Sequence, residues 1–236
     1  VAFVPHPAVQ VNLSRTMVVA GTVEGKRVGP GDVVLMFFGK HTDFEDQVAA
    51  VGAQLRARIL GRPVEPYLEW GFTDTAGLDE DPAVVAGVFV PVMPGFPEAS
   101  LRYEYTAFGE SARPPFLPCC HEPRSWYRHY MIRDRYVDGE GRPLGHPLGG
   151  YGHEHRVEGA AWLAQGRARM TGALVVRERE AKNILHDVRP GRSTAGELAV
   201  TFHLRKSLTL RSSIEYERGT EGWSTLESWF GLLFLP

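Results

Sequence analysis

Apolar and polar residues alternate along most of the chain with a period of two. In residues 9–19, Val9, Leu13 and Val19 share one face, whereas Gln10 and Asn12 share the other. This period places successive side chains on opposite faces of a β-strand. Similar segments recur to give about ten predicted strands, the remaining nine being residues 51–59, 64–70, 84–92, 101–107, 156–163, 168–176, 198–204, 208–217 and 226–235.

A helix is a rival interpretation for residues 51–59. Phe44, Val48 and Val51, followed by Leu55 and Ile59, also have the spacing of one helical face. Gly52 within the segment and the turn at Gly61 favour a strand.

The connections between the predicted strands alternate between long and short. The short turns lie near Gly61, Pro94, Gln165 and Lys206, and the long connections are residues 21–47, 73–83, 109–150, 179–196 and 219–225. Transmembrane β-barrels have this asymmetry, with short turns at one rim, long extracellular loops at the other and strands of ~9–11 residues. We therefore predict an all-β fold, an antiparallel transmembrane β-barrel, in which residues 1–236 form a single barrel domain.

A soluble barrel or sandwich would show the same alternation within each strand. Strand length and loop asymmetry favour the membrane, where the apolar face meets lipid and the polar face lines a lumen. Arg15 opposes this reading, because a lipid-facing arginine at the bilayer centre costs ~2–4 kcal/mol. We expect Arg15 to lie near an interface or at a bulge. The mixed arginines and glutamates of the polar face are expected to pair with each other as a structural lumen.

Composition sets further bounds. The 236 residues are 43% hydrophobic and 23% charged, with a net charge of −2, which gives no reason to expect nucleic acid. No apolar run approaches the ~18 residues of a transmembrane helix. Cys119 and Cys120 are adjacent, so they cannot join distant parts of the fold, and no CxxC spacing supports zinc. The chain begins at Val1 without Met or a leader, which suggests a processed product or a piece of a longer protein.

Residues 109–150 form the longest connection and are flanked on both sides by strand patterns. A loop of this length is usually functional or disordered, and its many aromatic residues argue against disorder. We expect a large surface loop, or one that folds inward, that meets a ligand. Gly145, His146 and Pro147 are expected to shape a turn near its end, with His146 filling space or capping.

The same loop carries the motif WYRHYMIRDRYVDGEGRPLGHPLG at residues 126–149. This motif resembles the capsule assembly Wzi family of outer-membrane β-barrels, in its aromatic-His segment and its Gly-Arg-Pro-Leu-Gly-His-Pro-Leu-Gly end. Weaker similarity lies at residues 13–16, 69–70 and 101–105. In their order along the chain, these segments are similar to the C-terminal portion of such a protein, so this chain could be part of a larger barrel.

The resemblance implies a surface lectin that binds and retains capsular or extracellular polysaccharide during capsule assembly. The partners it implies are an acidic capsular polysaccharide and outer-membrane lipid, and we expect a monomer. Aromatic faces and charge-assisted hydrogen bonds suit sugars, and arginine suits acidic polymers. The candidate ligand-binding residues are Trp126, Tyr127, His129, Tyr130, Arg133, Asp134, Arg135, Tyr136 and Asp138. Alternatively, these aromatics form an interfacial girdle and the charges pair within the loop.

The chain departs from the family pattern in three respects. It lacks the N-terminal half with its helical plug, it does not end on a terminal aromatic residue, and Pro66 lies within a predicted strand. Two other functions stay open: a porin-like channel and, with less support, a barrel hydrolase.

No catalytic residue, cofactor or metal site is predicted. The sequence contains no Gly-x-Ser-x-Gly elbow, P-loop or His-Glu-x-x-His motif, so we expect a binding protein and not an enzyme. His153 and His155 would share one face of a strand, a plausible chelate, but no carboxylate or cysteine stands at a diagnostic spacing.

Overall fold

A computed structural model describes residues 1–19, 22–23, 26–27, 29–37, 45–73, 82–112, 146–205 and 208–234. Its elements are β1 (Ala2–His6), β2 (Val9–Val19), β3 (Thr22–Val23), β4 (Lys26–Arg27), α1 (Pro30–Phe37), β5 (Glu45–Leu55), β6 (Ala57–Ile59), β7 (Arg62–Thr73), β8 (Ala83–Val90), β9 (Ala99–Phe108), a 3-10 turn (Gly109–Ala112), β10 (Gly152–Leu163), β11 (Ala168–Arg179), β12 (Gly191–Arg205), β13 (Leu208–Gly219) and β14 (Ser224–Phe234). The described part of the chain holds no helix with the length and apolarity to cross a bilayer.

One antiparallel sheet of 12 strands contains almost all of these elements. Its order is β1-β2-β5-β7-β8-β9-β10-β11-β12-β13-β14, with β6 beside β7, and β3 and β4 pair separately. Each strand on this path therefore pairs with the strands that come before and after it on the path, as in a succession of hairpins. Among the described residues β1 and β14 each have one partner, so the sheet is an open arc with two edges.

The predicted alternation divides the sheet into an apolar and a polar face. Along one cross-strand row, Tyr103, Val157 and Leu174 point to the apolar face, and this row continues through Gly196 to Tyr216. One residue along each strand, the polar face carries Glu104, Arg156, Val175, Ala195 and Glu217. Large apolar side chains are exposed on the apolar face, as Leu174 is at 70% and Phe230 at 66%. Lipid is the solvent such a surface requires, because water would not cover it without cost.

The 12-stranded sheet contains two strands beyond the ten expected, and the short strands β3 and β4 lie inside the connection predicted at residues 21–47. One is β1, whose sequence AFVPH over Ala2–His6 shows no clear alternation. It lies at the edge of the sheet and is exposed throughout. The segment predicted at residues 51–59 is a strand and not a helix, but it is split into β5 and β6 at Arg56.

Pro66 accounts for this split. β7 pairs with β8 straight through Pro66, which lies opposite Val88. On the other edge of β7, the pairing with β5 ends where Gln54 lies opposite Tyr67. Pairing resumes in β6, where Ala57 lies opposite Val64. Proline has no N–H to donate, so a gap in one ladder is the arrangement that admits it within a strand.

Three strands start at least four residues earlier than the alternation predicts. β5 begins at Glu45, inside the connection predicted at residues 21–47. β12 begins at Gly191, inside a predicted loop, and β10 begins at Gly152 rather than near Arg156. In these last two strands the added residues on the apolar face are polar: His153 and His155 in β10, and Arg192 and Thr194 in β12. The apolar stripe ends before the hydrogen-bonded strand does, which hides the strand from a search for alternating hydrophobicity.

Candidate functional site

Charged side chains converge on the polar face where β10–β13 meet the long connections, the long-loop end of the sheet. Three arginines come from strands and one from the connection between β11 and β12, and each contacts at least one glutamate. The arginines are Arg156, Arg177, Arg179 and Arg189, and the glutamates are Glu154, Glu158, Glu197, Glu215, Glu217 and Glu227. The expected pairing of opposite charges across the interior is therefore present at this end.

Glu217 lies at the centre of this network and is fully buried. Its carboxylate lies 2.9 Å from Arg179 and 3.3 Å from Arg177, and it also accepts a 2.5 Å hydrogen bond from the Ser193 hydroxyl. Its cross-strand neighbour is Ala195, whose small side chain leaves room for arginines from β11 to cross β12. A buried charge is tolerated when its partners and hydrogen bonds replace water, as they do here.

Arg156 forms the second group of pairs. Its guanidinium donates two hydrogen bonds of 2.6 Å to the carboxylate of Glu197, and Nη2 also lies 3.1 Å from Glu158. Two parallel bonds from one guanidinium to one carboxylate fix the orientation of both side chains. The network therefore stiffens the sheet across β10, β11 and β12.

Two segments, residues 146–151 and 180–190, cover this end of the sheet, and we call them the cap. Asn183, 2% exposed, joins them because its side-chain amide donates to the carbonyls of Leu148 at 2.9 Å and Tyr151 at 2.8 Å. Its side-chain oxygen accepts from the N–H of Leu185 at 2.8 Å. Leu148 and Tyr151 are fully buried. The end of the family-like motif is thus part of a packed cap.

His146 forms a turn, as the sequence suggests. Its Nδ1 accepts a hydrogen bond from the N–H of Leu148 at 3.2 Å, and its carbonyl accepts from the N–H of Gly149 at 3.0 Å. Gly149 has a φ of +82°, a backbone conformation that glycine adopts readily. Burial lowers the pKa of His146, although the Glu154 carboxylate acts in the opposite direction. His146 is therefore neutral at pH 7.

The predicted ligand-binding residues, Trp126 through Asp138, lie outside the described residues, as does most of the 109–150 segment. Its two ends are described. The 3-10 turn Gly109–Ala112 follows β9 directly, and the Ser111 hydroxyl donates to Glu180 of the cap at 2.5 Å. The other end is the cap segment that contains Leu148. Both ends of the candidate loop are thus tied to the cap at the long-loop end.

The polar face has a different character toward the short turns. Trp162 stacks on His203 with ring centroids 6.2 Å apart, and Trp229 is 55% exposed. Arg169 and Arg211 face the same side and form no ion pair with any described residue. A groove of about 820 Å³ runs between this region and the charged network, with Glu197, Thr171 and Trp229 among its walls.

His153 and His155 do share one face, and their rings lie 5.8 Å apart. They lie on the apolar face, where Tyr103 Oη is 2.9 Å from His155 Nδ1 and Glu178 is 3.8 Å from His153 Nε2. Within the described ranges no three histidine, cysteine or acidic side chains are grouped to hold a metal ion.

The family model described as Capsule assembly protein Wzi matches residues 1–222. The chain belongs to the Wzi capsule assembly family. Comparison with curated proteins gave no match. Among solved structures, the chain is similar to Wzi of Escherichia coli, an outer-membrane protein involved in group 1 capsule assembly and a carbohydrate-binding β-barrel. The TM-score is 0.65 at 18% identity, over 98% of this chain and 49% of that one.

These findings confirm the family recognised from the loop motif, the antiparallel β-barrel fold and, through the family, the bacterial outer membrane as location. The chain spans about half the length of the Escherichia coli protein. The polysaccharide-binding residues, the extent of the domain and the expectation that the chain is not an enzyme stay predictions.

The sequence predicts that charges pair on the polar face, but it identifies neither the individual partners in the charged network nor Asn183. Pairs such as Arg177 and Arg179, or Glu215 and Glu217, show at their two-residue spacing that they share a face. Only the register across strands brings Glu217 to both arginines. The role of Asn183 in joining the cap gives no local signal, because the two carbonyls to which its amide donates lie more than thirty positions earlier in the chain.

Proposed function

We propose that this chain forms part of an outer-membrane barrel that binds an acidic capsular polysaccharide through its long loops and retains it at the cell surface. The observation that carries the proposal is the match of the Wzi capsule assembly family over residues 1–222. The similar Escherichia coli protein is a carbohydrate-binding barrel, which supports a binding role.

The arrangement of the cap supports the 109–150 segment as the binding element. Its two described ends are tethered through Ser111 and Leu148 to the rigid cap, beside the outer rim of the sheet. Binding loops work best when a rigid scaffold fixes their ends, because less conformational freedom is then lost on binding. The loop sequence contains Trp126, whose ring type stacks on sugars, and Arg133 and Arg135, whose charge suits acidic sugars.

The same arrangement supports binding more than conduction. At the long-loop end the polar face is covered by buried side chains, including Ile184 and Leu185 of the cap, and its arginines are neutralised by glutamates. A conducting pore needs an aqueous path along this face, and the cap occupies such a path on this part of the barrel.

Substitution of the loop tests the proposal. We expect Trp126→Ala or Arg133→Gln to weaken binding of the purified protein to acidic capsular polysaccharide about tenfold, since one stacking or charge-assisted contact contributes roughly that much. Encapsulated cells should release more polymer, and binding should weaken with added salt. The measurements are polymer binding by the detergent-solubilised protein and polymer retained on washed cells.

Trp162→Ala is the matched control, because Trp162 lies on the polar face toward the short turns, away from the loop. All three variants should reach the outer membrane in equal amounts. Unchanged binding in Trp126→Ala and Arg133→Gln, with normal expression, would refute the assignment of the loop.

A further inference from the structure

The apolar face of the sheet is bounded by charge at both ends. From the row of Val157 and Tyr216 to the row of Phe202 and Leu210, the apolar face of β10–β13 carries no charged side chain. Arg218 lies beyond this band toward the long loops, and Arg205, opposite Leu208, ends it near the short turns. About ten residues of β13 separate the two levels, or ~34 Å along the strand. With the tilt of barrel strands this agrees with an apolar band ~25 Å tall.

Aromatic side chains mark the long-loop edge of the band. Tyr103, Tyr105, His153 and His155 form one cluster on the apolar face of β9 and β10, with the rings of Tyr105 and His155 5.0 Å apart. Aromatic residues with a polar tip concentrate at the level of lipid headgroups. Long loops face the outside in bacterial barrels, so this edge meets the outer leaflet.

Two arginines at this level form no ion pair with any described residue. They are Arg192 and Arg218, and both are exposed. Glu178 lies directly across from Arg192, yet its carboxylate is the one 3.8 Å from His153. Arg218 lies opposite Thr194 and is thus a diagonal neighbour of Arg192, at a typical separation of ~7–8 Å. Two long side chains at this separation can reach one anion.

We propose that Arg192 and Arg218 form a binding site for a phosphate group of the outer-leaflet glycolipid. Guanidinium groups bind phosphate oxygens in pairs, and the dry edge of the apolar band strengthens such contacts compared with water. Tyr105 and His155 lie on β9 and β10, separated from β12 by β11, and their rings are at the level of Arg218, where the sugar and upper acyl region of the lipid layer lie. The site depends on the outer-membrane location and is separate from the polysaccharide loop.

Co-purified lipid tests this site. The protein is extracted from outer membranes in mild detergent, and the lipid that stays bound is measured. The protein is then delipidated and titrated with lipopolysaccharide that either carries its lipid A phosphates or has lost them to a phosphatase. We expect Arg192→Gln with Arg218→Gln to retain much less phosphorylated lipid and to bind it about tenfold or more weakly. Intact lipid should bind the unsubstituted protein better than dephosphorylated lipid.

Arg169→Gln with Arg211→Gln is the matched control, since it makes the same change on the polar face and should leave lipid binding unaltered. Heat-modifiable gel mobility verifies that each barrel folds, and Arg192→Lys with Arg218→Lys should restore part of the binding. Equal retention by the glutamine variant, or equal binding of lipid with and without phosphate, would overturn the site. Polymer retention by the loop is measured separately, so failure of one assignment leaves the other unaffected.

Discussion

The arginines at the two ends of the polar face lie in different surroundings. At the long-loop end Arg177 and Arg179 are buried and contact several glutamates, and the cap excludes water from them. Toward the short turns Arg169 and Arg211 form no ion pair with a described residue and lie in the open beside exposed tryptophans. Both ends carry the same alternation in sequence.

This difference teaches that a polar strand face specifies no particular interior. A buried arginine requires a carboxylate at the right register, because desolvating it alone would cost several kcal/mol. An arginine in contact with water requires no such partner. The contribution of charged residues to the free energy of unfolding should therefore come mainly from the long-loop end.

Glu217→Gln should break this contrast most strongly. The change leaves Arg179 and Arg177 buried with fewer negative partners, and loss of one member of a buried pair costs about 3–5 kcal/mol. We expect a clear fall in the melting temperature of the detergent-solubilised barrel, measured by heat-modifiable gel mobility. Arg211→Gln, at the other end, should change the free energy of unfolding by less than about 0.5 kcal/mol. Similar effects in the two variants would show that the ends are energetically equivalent.

Asn183→Ala should have the next largest effect. The substitution orphans the buried carbonyls of Leu148 and Tyr151, and each unsatisfied buried group costs about 1–3 kcal/mol. Because the cap holds the ends of the long loop, cleavage by trypsin between residues 113 and 145 should accelerate. Asn12→Ala serves as the control, since Asn12 lies on the polar face of β2, remote from the cap. An unchanged cleavage rate would indicate that Asn183 does not hold the cap together.

A change of pH should have the smallest of these effects on the cap, and we expect His146 to contribute to it. Its folded-state pKa is lowered by burial, so the unfolded chain binds the proton more readily. The contribution of His146 is complete above the unfolded pKa of about 6.5 and is lost as pH falls from there toward the folded value. Melting temperatures between pH 7.5 and 5 should decline less in His146→Gln than in the unsubstituted protein. Parallel curves would exclude this histidine as the cause.

The sequence predicts the fold well where apolar residues alternate, because lipid on one side imposes a strict period of two. The prediction is wrong at Gly191 and Gly152, where β12 and β10 continue past the apolar band with polar residues on both faces, and at Glu45, where β5 begins inside the connection predicted at residues 21–47. The division at Arg56 was also missed, although Pro66 was recognised as an unusual strand residue.

The site was less predictable than the fold. A turn at His146 could be anticipated from glycine and proline, which restrict the backbone locally. The Arg177–Glu217 contact and the Asn183 bonds depend on which residues of distant strands become neighbours. Local sequence carries no information about that register, which is set by the whole succession of turns and bulges.

The up-and-down order of the sheet has a consequence for how such a barrel could be assembled. Each hairpin along the path satisfies its backbone with the next segment in the sequence, so few distant parts of the chain must meet before structure can grow. Insertion can then advance one hairpin at a time. A defect in one turn would delay the adjoining hairpins and leave those that have already formed unaffected.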